Sequence, residues 1–210
     1  MPGKRGLMDT SHSDAEQVSL FLRVGLGAVL VYEGLVPRLL APSPQLLDLV
    51  SRWLPWLEDP TALVRAAGVF EILLGLLLLS GWMVRSVAVA QCLLLASFAV
   101  GVAAVMPQAL VHPMGAASKL VALLAAGLCL VFLGRGRDIG GESSWRVRVV
   151  PLILRLGLGF TWLYEGILPK WLFPSSAGVE IVARTGLVSL QVPTFLKLLG
   201  ATEAVLGVTI

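Results

Sequence analysis

The sequence predicts an all-α polytopic transmembrane helix bundle of about six spans, arranged as two parallel repeats: a four-helix unit and a partial second copy. Three observations predict it. The chain is 57% hydrophobic and 14% charged, with a mean hydropathy of +0.87, whereas soluble domains sit near roughly 45–50% and 25%. Its apolar runs reach the about 20 residues that cover a hydrocarbon core of roughly 30 Å. Finally, the chain is written twice: at an offset of 132, residues 21–43 match residues 153–175 at 12 of 23 positions. Arg23, Gly25, Gly27, Tyr32, Glu33, Gly34 and Pro37 recur as Arg155, Gly157, Gly159, Tyr164, Glu165, Gly166 and Pro169. With no gap, the same offset pairs Arg65, Gly68, Glu71 and Gly75 with Lys197, Gly200, Glu203 and Gly207, the signature of an internal duplication.

Residues 1–17 read as a polar tail carrying Lys4, Arg5, Asp9, His12, Asp14 and Glu16. No small-residue cleavage site follows the first apolar run, so the tail does not read as a signal peptide. The first repeat covers residues 18–133. Its first span runs from about Val18 to Val36 and is expected to end at Pro37, which lacks an N–H and disfavours helix before it. Ser43 to Leu57 is too short and too charged to cross. Its leucines, with Trp53 and Trp56, suit a segment lying in the headgroup layer; a packed helix outside the membrane is the other reading. The second span is placed at about Thr61–Trp82 and the third at about Ser86–Met106. A loop with His112 and Pro113 then leads to the fourth, about Lys119–Leu133.

The sharpest change of composition is the Arg/Gly-rich stretch 134–148, with Arg135, Arg137, Arg146 and Arg148, read as a linker. The second, incomplete repeat is 149–210: a fifth span from about Val149 to Leu168, a loop with Glu180 and Arg184, and a sixth span from near Thr194. That last span has only about 17 residues, roughly 25 Å, and Ile210 aligns with Leu78 of the first copy. The expectation is that the chain continues past Ile210 into second copies of the third and fourth spans. Basic loops mark the cytoplasmic side. Placing 134–148 there puts Lys4, Arg5, Arg85 and the amino terminus in the cytoplasm. Four spans separate the two copies, so both enter the membrane in the same direction.

Several chemistries are disfavoured. The net charge of +3 and pI near 9.2 come from bases spread over loops and helix ends, without the aromatic-interleaved patch a nucleic-acid partner needs. Cys92 and Cys129 lie singly in apolar runs and form no Cys-x-x-Cys. His12 and His112 fall outside the spans, so no histidine pair would hold a haem, and no metal-ligand spacing occurs. Gly25-Leu26-Gly27 and Gly157-Leu158-Gly159 follow no strand and read as packing glycines rather than a phosphate loop.

What remains is an intramembrane polar set: Arg23, Tyr32, Glu33, Arg65 and Glu71, with the copies Arg155, Tyr164, Glu165, Lys197 and Glu203. Each charge within a span costs roughly 2.5–3.5 kcal/mol near mid-bilayer unless paired or hydrated. On a helical projection Arg23, Gly27 and Gly34 fall within about 40° of each other, and Gly68, Glu71 and Gly75 share one stripe. The two stripes are expected to face each other, small residues letting the backbones approach. The pairs expected are Glu33 with Arg65 and Glu71 with Arg23, then Glu165 with Lys197 and Glu203 with Arg155. Two readings stand. The pairs are structural glue, or Tyr32, Glu33 and Glu71 line a cavity for a headgroup, a quinone ring or protons.

The Leu-Arg-x-Gly-Leu-Gly and Tyr-Glu-Gly-x-x-Pro-base stretches, followed by Arg65-x-x-Gly68-x-x-Glu71-x-x-x-Gly75, resemble the DoxX-like family of small bacterial membrane proteins. The resemblance covers residues 20–133 as one unit and 152–210 as half of another. It implies a four-helix bundle of the cytoplasmic (inner) membrane, from which the duplication departs. It also implies a membrane-embedded subunit or accessory of a redox or quinone-linked system, beside a membrane or peripheral oxidoreductase, since members include a subunit associated with thiosulfate:quinone oxidoreduction and components of oxidative-stress assemblies. No cofactor motif is evident in the residues themselves; the resemblance makes a quinone the candidate cofactor. A proton-coupled or small-solute transporter and a non-catalytic membrane scaffold are the alternatives, and no residue is assigned a catalytic role.

Overall fold

The computed structural model describes residues 3–107, 116–135, 144–174, 176–185 and 191–210. Among them all regular structure is helical: α1 (Gly3–Gly34), α2 (Pro44–Trp53), α3 (Pro60–Ser80), α4 (Val84–Val105), α5 (Ala116–Leu133), α6 (Ser144–Ile167), α7 (Ser176–Thr185) and α8 (Val192–Thr209). Ala15–Leu40, Pro60–Ser80, Val84–Val105 and Val192–Thr209 are long and apolar enough to cross a membrane, and Ala117–Leu133 is a shorter apolar helix. Large apolar side chains such as Phe21, Leu93, Leu156 and Val208 point outward, as expected when the surrounding solvent is lipid.

Three local departures from the sequence reading have physical causes. Helix α1 begins at Gly3, inside the expected polar tail. Pro37 does not end the helix: a π-helical turn, Leu35–Leu40, carries the chain on, with the Ala41 N–H donating to Val36 O at 3.0 Å. The wider turn accommodates a residue that cannot donate. The same turn recurs at Leu168–Leu172, around Pro169. Third, Glu180 and Arg184 sit one turn apart on α7 rather than in a loop, and their side chains pair at 2.6 Å. The loop with His112 and Pro113 and the core of the Arg/Gly linker, 136–143, lie outside the described residues.

Helix ends follow their capping chemistry. Ser43 Oγ accepts from the Leu46 N–H ahead of Pro44, and one Asp59 oxygen accepts from Thr61 and Ala62 ahead of Pro60, filling donors a first turn leaves open. Helix α3 stops at Gly81, whose φ of 73° only glycine adopts freely. The segment expected in the headgroup layer is α2, and its Trp53 ring lies against Gly101 of α4, where an added Cβ would come within 3.0 Å.

Helices α1 and α3 pack as one antiparallel pair, α6 and α8 as another, while α4 and α5 pack together and α5 bridges α1 and α6. Leu26, Leu30, Leu74, Leu78, Val87, Ala88 and Leu130 form a core shared by α1, α3, α4 and α5. Ala15, Cys129, Leu133 and Val150 form another under α6. There Ser19 Oγ donates to Gly134 O at 2.6 Å, and the Cys129 thiol faces Val150 O at 3.7 Å.

Candidate functional site

Glycines set the depth at which the two helices of each pair meet. A Cβ on Gly34 would lie 2.5 Å from Gly68 O, and one on Gly75 would lie 2.7 Å from Gly27 O. Backbone therefore meets backbone at two levels, which fixes an antiparallel register. The second pair repeats it: a Cβ on Gly166 would lie 2.5 Å from Gly200 O and one on Gly207 2.7 Å from Gly159 O. The stripes face each other as their spacing predicts. Gly25 is the exception among the expected packing glycines, since nothing lies within 4 Å of its Cβ position, whereas its counterpart Gly157 meets Ala125 of α5.

That register overturns all four expected ion pairs. Glu71 lies level with Val31, and because helical side chains lean toward their own amino terminus, Arg23 leans away from that level while Arg38 leans toward it. Glu71, 4% exposed, instead pairs with Arg38. In the second copy Glu203 pairs with Lys170, not Arg155. Arg65, Arg155 and Lys197 are exposed, and the Lys197 carbonyl accepts from Trp171 Nε1 at 2.9 Å. Arg23 Nε is buried without a partner among the described residues, and its guanidinium lies beside Gly81. Tyr32 is 59% exposed. Tyr164 is half-buried against Phe160, ring centroids 5.8 Å apart, and its hydroxyl has no partner among the described residues.

The base after the proline was present in both copies of the motif, yet its role was missed. In an α-helix the carbonyl of Glu33 would accept from the N–H four residues on. That residue is Pro37, which has none. Arg38 Nη1 fills the gap, donating to Glu33 O at 2.9 Å, while the same nitrogen pairs with Glu71. Lys170 Nζ does the same, donating to Glu165 O at 3.1 Å and pairing with Glu203. One cation thus satisfies a carbonyl freed by proline and a carboxylate buried on the facing helix. Proline, base and distant glutamate act as one unit, twice.

A further polar group went unremarked in the sequence. Gln91 is wholly buried in α4, and neither its amide oxygen nor its nitrogen has a partner among the described residues. A single glutamine within an apolar span was the available signal. Among the described residues, no three His, Cys, Asp or Glu side chains gather as a metal site.

Comparison with curated proteins and with solved structures gives no match. The profile of the DoxX-like family matches residues 27–128 and 159–210, two segments that contain both base–carboxylate pairs. With apolar helices of membrane-crossing length and a family match over most of its sequence, the chain belongs to the DoxX-like family.

Proposed function

We propose that this chain is a membrane-embedded accessory subunit, a rigid helical frame of the cytoplasmic membrane serving a redox or quinone-linked partner, with its amino terminus in the cytoplasm. One observation carries the frame: Glu71 and Glu203, the carboxylates that a site within the bundle would use, are each engaged by a cation that also mends a proline break. Groups held this way lock helices together. The partner half of the reading rests on the family resemblance. Its test is purification of the full chain from native membranes in mild detergent. An oxidoreductase or an extractable quinone that co-purifies in stoichiometric amount is the expected result; repeated isolation of the chain alone, free of both, would overturn the partner assignment.

A second reading, proton-coupled transport, is favoured by one detail. Glu33 lies within electrostatic reach of the buried Glu71, so a second acid stands near the Glu71–Arg38 pair. The expected signature is proton flux in liposomes containing the full chain, abolished by Glu71→Gln in protein that still folds. Proton-tight liposomes would dismiss it.

A further inference from the structure

Three arginines far apart in sequence meet at the turn between α3 and α4. A Cβ on Gly81 would collide with the Arg23 guanidinium and lie 3.9 Å from Arg135 Nε, and Arg135 Nε donates to Gly81 O. Next to this turn is a hollow of about 320 Å³ lined by Trp82, Met83, Val84, Arg85, Ser86 and Arg135. Arg85 Nε and Nη2 and Arg23 Nε are buried with no hydrogen-bond partner among the described residues. The hollow also receives the start of α4, whose cap residue Met83 provides no side-chain hydrogen bond, so the first-turn amides of a 22-residue helix add their positive end. Among the described residues, no acidic side chain lines it.

Topology alone does not account for this arrangement. Arginine that orients a membrane protein needs only to remain on the cytoplasmic side, where water satisfies its donors. Here Arg23 Nε and Arg85 Nε and Nη2 are withdrawn from solvent yet left unpaired among the described residues, an arrangement that costs energy unless an acceptor arrives, while Arg135 is exposed beside them. Trp82 is exposed beside them, at the height where tryptophan marks the headgroup layer.

We propose that this hollow binds a phosphate-bearing anion, held by Arg85 and Arg135 with the α4 amino terminus and supported by Arg23. A phospholipid headgroup and a free phosphate share that chemistry. The test uses the purified full chain, native mass spectrometry and defined mixtures of phosphatidylglycerol and phosphatidylcholine, with and without inorganic phosphate. Retention of one phosphatidylglycerol in preference to phosphatidylcholine, unaffected by phosphate, identifies a headgroup; displacement by phosphate identifies a soluble phosphate site. In either case Arg85→Gln and Arg135→Gln should each weaken binding about tenfold, the loss expected for one charged hydrogen bond. Arg85→Lys should lose less, and Arg52→Gln, on the exposed face of α2, should change nothing. Equal retention of both lipids with no phosphate binding overturns the proposal, as does binding unaltered by Arg85→Gln and Arg135→Gln.

Discussion

Arg38→Leu is expected to destabilise the protein by about 3–5 kcal/mol, the cost of stranding a buried charge, and Arg38→Leu combined with Glu71→Leu to recover most of that loss. In the single variant the Glu71 side chain, 6% exposed, keeps its carboxylate without a cation. Glu33 O loses its donor as well. The double variant removes the stranded charge and leaves only the orphan carbonyl, a residual cost of about 1–3 kcal/mol. Unfolding of the purified protein in detergent, followed by circular dichroism, measures both. Equal losses in the single and double variants would show that Glu71 does not depend on Arg38. Lys170→Leu should cost less than Arg38→Leu, because the Glu203 side chain is 15% exposed and water there shares the burden.

Gly34→Val should be nearly as damaging for a different reason. Its Cβ would stand 2.5 Å from Gly68 O and 2.9 Å from Ile72 Cγ1, and two added methyls leave the α1 and α3 backbones no choice but to separate. Parting them also opens the Gly27–Gly75 level and pulls Arg38 from Glu71. A loss of about 3 kcal/mol or more follows, at the upper end of overpacking costs. Gly25→Ala is the matching control: nothing lies within 4 Å of its Cβ position, so the substitution should be neutral or add up to about 1 kcal/mol through helix propensity. Comparable recovery of folded Gly34→Val and Gly25→Ala protein, measured by size-exclusion chromatography and thermal unfolding, would refute the glycine register.

The two substitutions also mark what could be read from the sequence. Composition and run length were enough to place the second, third and fourth spans within a few residues, though not the start of α1 at Gly3, and the repeated glycines announced which faces meet. Azimuth around a helix is written in residue spacing. Depth along the partner is not, because it depends on which glycine meets which across the pair, and the ion pairs were misassigned for that reason. Arg38 and Lys170 were hidden by a second effect: proline was taken as a stop, so the base beyond it was placed outside the helix. Only the π-helical turns bring Arg38 and Lys170 back over the carbonyls that Pro37 and Pro169 release. The buried Gln91 and the helix bearing Glu180 and Arg184 were missed because each signal was a single residue or a short amphipathic run.

The cysteines give the bundle two built-in reporters. The Cys92 sulfur occupies a notch above Gly127, 2.7 Å from where a Cβ would stand, and Cys129 is wholly enclosed beside Val150 of α6. Cys92 is half-buried rather than enclosed, so a membrane-permeant maleimide reaches it in the folded bundle, whereas it reaches Cys129 only when α5 leaves α6. The ratio of the two labelling rates times the opening of the α5–α6 seam, with Cys92 as the internal reference.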